Sequence, residues 1–196
     1  MNDQAATLRL AVFPRSGLLV DALLVLGGAA FVGLCAQVSY QPLFTPVPYT
    51  LQTFGVLLVG AAYGAMLGAA SLSLYLILGI AGAPLFAQHK HGWDVFSGAT
   101  GGYIVGFVVA AALTGYLAER GWDKRFATSV TLMLTGIVVI YACGAVWLHH
   151  WLHASWNTAL TDGVYYFVPG DLVKLYLAAA ALPAAWQLVR RIRSGR

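Results

Sequence analysis

Of 196 residues, 60% are apolar or aromatic and 9% are charged, against about 45–50% and about 25% in soluble domains. So little polar surface cannot cover a water-soluble core, which excludes a cytosolic globular protein. The excess of cations, net +4, collects between long apolar runs, as at a membrane surface, and does not point to a nucleic-acid partner.

A spanning helix takes about 20 residues, so six spans would use about 120 and leave little outside the bilayer. Residues 1–20 hold Arg9, Pro14 and Arg15 and lack the apolar core and small-residue cleavage site of a signal peptide. They read as a cytoplasmic N-terminal segment ahead of a membrane domain at 21–189 and a basic cytoplasmic tail at 190–196. The first apolar run, 21–40, contains Ala29 and Gly33, a small-xxx-small step suited to close helix contact. Cys35 and Cys143 lie in apolar runs at no metal or redox spacing and read as small core residues.

The second run, 51–82, is too long for one crossing at 1.5 Å per residue. Glycines at 60, 64 and 68 near its middle allow a tight reversal. Two short spans or one tilted helix are both open on length alone. Charge decides. Nine of the eleven Lys and Arg residues fall in three clusters: Arg9 and Arg15; Arg120, Lys124 and Arg125; Arg190, Arg191, Arg193 and Arg196. Two spans in 51–82 put all three on one side, the cytoplasmic one. With further runs at 101–118, 127–148 and 171–189, the expected fold is an all-α membrane protein of six transmembrane helices with both termini cytoplasmic. The outer face then carries three segments, 41–50, 83–100 and 149–170.

In the Pro-rich first segment, Thr50, Gln52 and Thr53 bring hydrogen-bonding groups to the mouth of the second span. Gly79, Gly82, Pro84 and Phe86 lead into the second, and Thr100-Gly101-Gly102-Tyr103 opens the fourth span. Two glycines at a helix start suit either an approaching acceptor or close helix packing. His149, His150 and His153, with His89 and His91, invite a metal reading, but five histidines fall short of a membrane di-iron site. Trp93, Trp147, Trp151 and Trp156 fit an interfacial belt or the wall of an outward pocket.

The sharpest feature is Pro169-Gly170-Asp171-Leu172-Val173-Lys174. Asp171 and Lys174 share a helix face within one turn, and ionisable groups inside a span point to a functional site. An N-cap after a Pro-Gly break would account for Asp171 but not for Lys174, a cation opposing the dipole at a helix start. No G-x-x-x-x-G-K-[ST] phosphate loop occurs, so uphill movement would draw on a partner or an ion gradient.

Taken in order, Pro48-x-Thr50-x-Gln52-Thr53-Phe54, Gly79-x-x-Gly82-x-Pro84-x-Phe86, Thr100-Gly101-Gly102-Tyr103, Ala118-Glu119-Arg120-Gly121 and Pro169-Gly170-Asp171-x-x-Lys174 resemble the BioY family. These are the biotin-specific substrate-capture (S) components of energy-coupling factor (ECF) transporters. The resemblance spans about residues 22–185. It implies a non-enzymatic, cofactor-free protein in the inner membrane of a prokaryote, holding biotin under the outer loops. The implied partners are a transmembrane coupling subunit and two ATPases, or self-association. The family's Asp-x-x-Lys pair falls on Asp171 and Lys174, and its docking motif on Ala29 and Gly33. Asp171 can accept from the ureido N–H groups, and Lys174 can donate to the ureido oxygen or pair with the carboxylate. Phe86, Trp93 and Tyr103 could cover the ring system, with Thr100, Gly101, Gly102 and Gln52 completing the expected ligand site and no metal in it. Ala99 replaces a common proline, and Gln88-His89-Lys90-His91 stands where relatives are often Gly-rich. The His-rich loops leave capture of another vitamin or of a transition metal ion as the alternative, and a membrane oxidase as a more distant one.

Overall fold

The computed structural model describes residues 7–14 and 17–194. Arg15, Arg196 and parts of the expected terminal segments lie outside the described residues. A short helix α1 (Leu8–Val12) precedes α2 (Leu18–Gln37). Two-residue strands β1 (Ser39–Tyr40) and β2 (Tyr49–Thr50) pair antiparallel and close the loop between them into a flap. Then come α3 (Gln52–Tyr63), α4 (Ala65–Ile80), a 3₁₀ turn at Ala87–His89, α5 (Trp93–Ser97), α6 (Gly101–Glu119), α7 (Phe126–Leu152), α8 (Trp156–Leu160), a π turn at Thr161–Tyr165 and α9 (Val168–Ser194). Segments 83–100 and 149–170 are thus partly helical.

The long second apolar run is a helical hairpin. Gly64 joins its arms at φ +89, a conformation that costs glycine nothing. Its amide-bearing neighbour Ala65 is capped by Glu119 Oε1 at 2.9 Å. At the far end Gln52 Nε2 donates to the Tyr75 hydroxyl at 2.7 Å. On one straight helix these residues would stand about 34 Å apart, so the single tilted helix is excluded. The arms are short: 12 and 16 residues, about 18 and 24 Å, against a hydrocarbon core of about 30 Å. Among the described residues four helices are long and apolar enough to cross: α2, α6, α7 and Val168–Ile192 of α9.

Helix α6 is the centre, packed against α3, α4 and α7; α2 leans on α4, and α9 on α7 and α3. Ala29 is 1% exposed and Gly33 is buried. A Cβ on Gly33 would meet the Leu85 side chain at 2.9 Å. Ala29 and Gly33, the pair expected to dock a partner, are thus packed within this chain, Gly33 against Leu85. The outer face of α2 is a stripe of bulky apolar residues, among them Leu23, Leu26 and Leu34.

One pole of the bundle gathers α1, the Gly64 turn, the α6–α7 connection and the far end of α9. There Asp123 is fully buried and accepts from the Trp186 indole, with Lys124 over the Trp186 ring. Burial pushes the Asp123 carboxyl up from 3.8 to about 6, against the opposing pull of the Trp186 hydrogen bond, a backbone hydrogen bond and Lys124. A raised folded-state value means the native chain binds the extra proton. That stabilisation, roughly 2–3 kcal/mol, is present below about pH 4 and lost as pH rises through about 6. Asp123→Asn keeps an acceptor for Trp186 and has no proton to lose. Thermal unfolding from pH 4 to 7.5 should show a flatter profile for the variant and a higher melting temperature at pH 7.5. A variant whose profile tracks the wild type would reject this account.

Candidate functional site

At the opposite pole the chain forms a cavity of about 370 Å³, inside the range of about 300–1,000 Å³ for small-molecule sites. Its polar floor is built by α9. Val168 starts that helix, so Pro169 and Gly170 lie within its first turn, and the Asp171 N–H bonds to Phe167 O at 2.9 Å. Asp171 is therefore inside the helix, and the capping reading fails. Asp171 is 3% exposed, and its carboxylate collects three donors. Lys174 Nζ (2.6 Å) and Thr53 Oγ1 (3.0 Å) donate to Oδ1, and the Tyr141 hydroxyl donates to Oδ2 at 2.6 Å. A carboxylate offers about four acceptor positions, so one is left for a ligand. Lys174 also donates to Thr50 O at 2.6 Å, which binds the β2–α3 junction to α9. The pair is a neutral, hydrogen-bonded unit, the form in which buried charge is tolerated.

The rest of the lining is mostly apolar and aromatic. Tyr75, Phe86, Tyr103, Ile104, Phe107, Ile140 and Phe167 contribute walls, with Val47 and Pro48 from the flap and Trp151 from the end of α7. Phe86 packs edge-on against Tyr75, ring centres 5.6 Å apart. It fits because Gly79 has no side chain: a Cβ there would stand 2.3 Å from the Phe86 ring. Tyr103 is held by donating to Gly163 O in the π turn at 2.7 Å. The flap is fastened to the same region. Thr45 Oγ1 donates to Asp162 O and Tyr49 to Tyr166 O, both at 2.6 Å, and Tyr49 stacks on Phe167. Thr100, Gln52, Lys90 and Asp94 also line the cavity.

Six of the nine expected ligand residues thus come together: Asp171, Lys174, Tyr103, Thr100, Gln52 and Phe86. Three do not. Trp93 is 62% exposed and leans on Phe96, outside the lining. Gly101 and Gly102 are buried under Trp147, where a Cβ would fall within 3 Å of its atoms. Of the two readings of those glycines, packing is the one the geometry realises. Trp147 in turn donates to Gly98 O at 2.8 Å. Sequence reasoning missed Tyr141, Tyr75 and Phe167. A lone tyrosine in an apolar run carries no signal until the folded chain brings a carboxylate to it. The histidines form no metal cluster: among the described residues no three His, Cys, Asp or Glu side chains group as ligands. His149 instead stacks on Trp156 at 4.1 Å.

Comparison with known proteins follows the same outline. The sequence profile of the BioY family matches residues 5–191. The biotin transporter BioY of Thermotoga maritima is 39% identical over 134 residues, 68% of this chain and 78% of the relative. A probable biotin transporter BioY of Pyrococcus horikoshii is 40% identical over 163 residues, 82% and 92% of the two chains. Among solved structures, the biotin S-component of an ECF-type ABC transporter superposes with a TM-score of 0.75 at 25% identity, covering 90% of this chain and 92% of that one.

Proposed function

The chain belongs to the BioY family, and from that premise we propose that it captures biotin in the cavity above Asp171 and Lys174 and delivers it inward as part of a vitamin uptake transporter. It is a binding and transport component and not an enzyme. The observation that carries the reading is a partly open, largely apolar cavity whose floor is a neutral Asp–Lys unit with an acceptor position to spare. A ureido group needs an acceptor for its N–H groups and a donor for its oxygen, beside apolar surface for a fused sulfur ring. Asp171, Lys174 and the walls formed by Phe86, Tyr103 and Phe167 match that demand.

We further read the fold as six crossings, the α3–α4 hairpin supplying two, with both termini cytoplasmic and the bounds 1–20, 21–189 and 190–196. In support, Arg9, Arg120, Lys124 and Arg190 all belong to the pole away from the cavity, as expected of a cytoplasmic face. The cavity then opens outward in the inner membrane of a prokaryote. Its partners would be an ECF coupling subunit and two ATPases, or further copies of this chain.

Isothermal titration of the purified protein with biotin and dethiobiotin tests the proposal. Saturable binding of biotin at one site per chain is expected. Absence of binding to either compound would refute it.

A further inference from the structure

Gln37, the last residue of α2, stands outside the cavity yet holds its wall from behind. Its side-chain amide donates to Phe86 O (3.2 Å), to Leu85 O (3.4 Å) and to Gly33 O one turn back in its own helix (3.0 Å). Its Oε1 accepts from the His89 N–H at 2.9 Å. The segment so gripped is unusual. Gln88 and His89 are consecutive left-handed residues at φ 61 and φ 58, a region sparsely populated by anything but glycine. The Phe86 N–H closes the turn onto Lys90 O at 3.1 Å. Among the described residues, no other side chain is hydrogen-bonded to the main chain of 85–90. From this one turn Phe86, Ala87, Gln88 and Lys90 reach the cavity.

Two adjacent residues in an unfavourable backbone region persist only where their surroundings over-determine them. Here the turn's own main-chain bonds and the buried Phe86 ring contribute, and every side-chain hydrogen bond to it among the described residues comes from a single amide. We propose that Gln37 is a positioning residue for biotin capture, holding the left-handed turn 88–89 so that the Phe86–Lys90 wall keeps its binding shape. The inference rests on the reading of the cavity as the biotin site. It also ties the end of α2, whose outer face is exposed, to the wall of the cavity through one side chain.

The test uses the full chain in detergent, with titration of biotin and thermal unfolding without biotin. Gln37→Leu removes both donor and acceptor; Gln37→Met serves should the branched side chain impair folding. The expected result is about a tenfold loss of affinity, the scale of a lost hydrogen-bond set, with the ligand-free melting temperature unchanged. Adding His89→Gly to Gln37→Leu should recover about threefold of that loss, because glycine holds the left-handed conformation unaided. Wild-type affinity in Gln37→Leu and Gln37→Met would overturn the inference. So would a loss that accompanies a lowered melting temperature and is not recovered by His89→Gly, which would make Gln37 a support of the fold alone. Failure of the wild type itself to bind biotin strikes the functional reading first and removes the inference with it.

Discussion

Asp171→Asn is expected to weaken biotin binding by at least ~1.5 kcal/mol, more than tenfold, the lower end for hydrogen bonds to charged groups. The same is expected of Lys174→Met. Asp171 holds Lys174, Thr53 and Tyr141 in one unit; Asn keeps one acceptor oxygen but removes the charge that pairs with Lys174 and turns the other oxygen into a donor. Lys174, with its side chain 17% exposed, would be left with Thr50 O as its main partner. Breaking one member of a buried pair costs about 3–5 kcal/mol, whereas removing both charges is often close to neutral. The double variant Asp171→Asn/Lys174→Met should therefore be more stable than either single variant while still failing to bind. Titration calorimetry with thermal unfolding on all three variants separates the two effects. Unchanged affinity in both single variants would reject this site and leave the family membership standing.

The second large effect is expected from Gly102→Ala, through packing. A Cβ at 102 would lie 2.2 Å from Trp147 Cβ and 2.5 Å from Cys143 O. Neither neighbour is the free end of a flexible side chain, so α6 and α7 must part along their contact. Overpacking of this kind costs about 1–3 kcal/mol, and main-chain contact places Gly102 at the upper end. Tyr103 follows it on the same helix and would carry the displacement into the cavity. A lowered melting temperature and weaker biotin binding are both expected. Gly170→Ala is the control: although it adjoins Asp171, a Cβ there meets nothing within 4 Å, so stability should hold or rise. Equal unfolding temperatures for Gly102→Ala and Gly170→Ala would contradict the packing role.

The Asp171–Lys174 contact was legible in the sequence because three residues on a helix are always neighbours. The reversal at Gly64 was legible from run length, glycine spacing and the clustering of cations on one face. The contacts of Asp171 with Tyr141 and Thr53 were not, since they join residues 30 and 118 positions apart. The same holds for Gln37, whose partners in the 85–89 segment lie 48 to 52 residues away.

The sequence by itself determined the membrane class, the order of the helices and the acid–base pair at the start of α9. Only the tertiary structure decided that Ala29 is buried and Gly33 packs against Leu85, that Gly101 and Gly102 make room for Trp147, and that Trp151 rather than Trp93 walls the cavity. The reason is that lipid tails are as apolar as a protein interior. In water an apolar stripe marks the buried face of a helix; in α2, Leu23 and Leu34 face outward while Val32 is fully buried. Side-chain polarity therefore says little about direction, and the small residues and the long-range hydrogen bonds settle it.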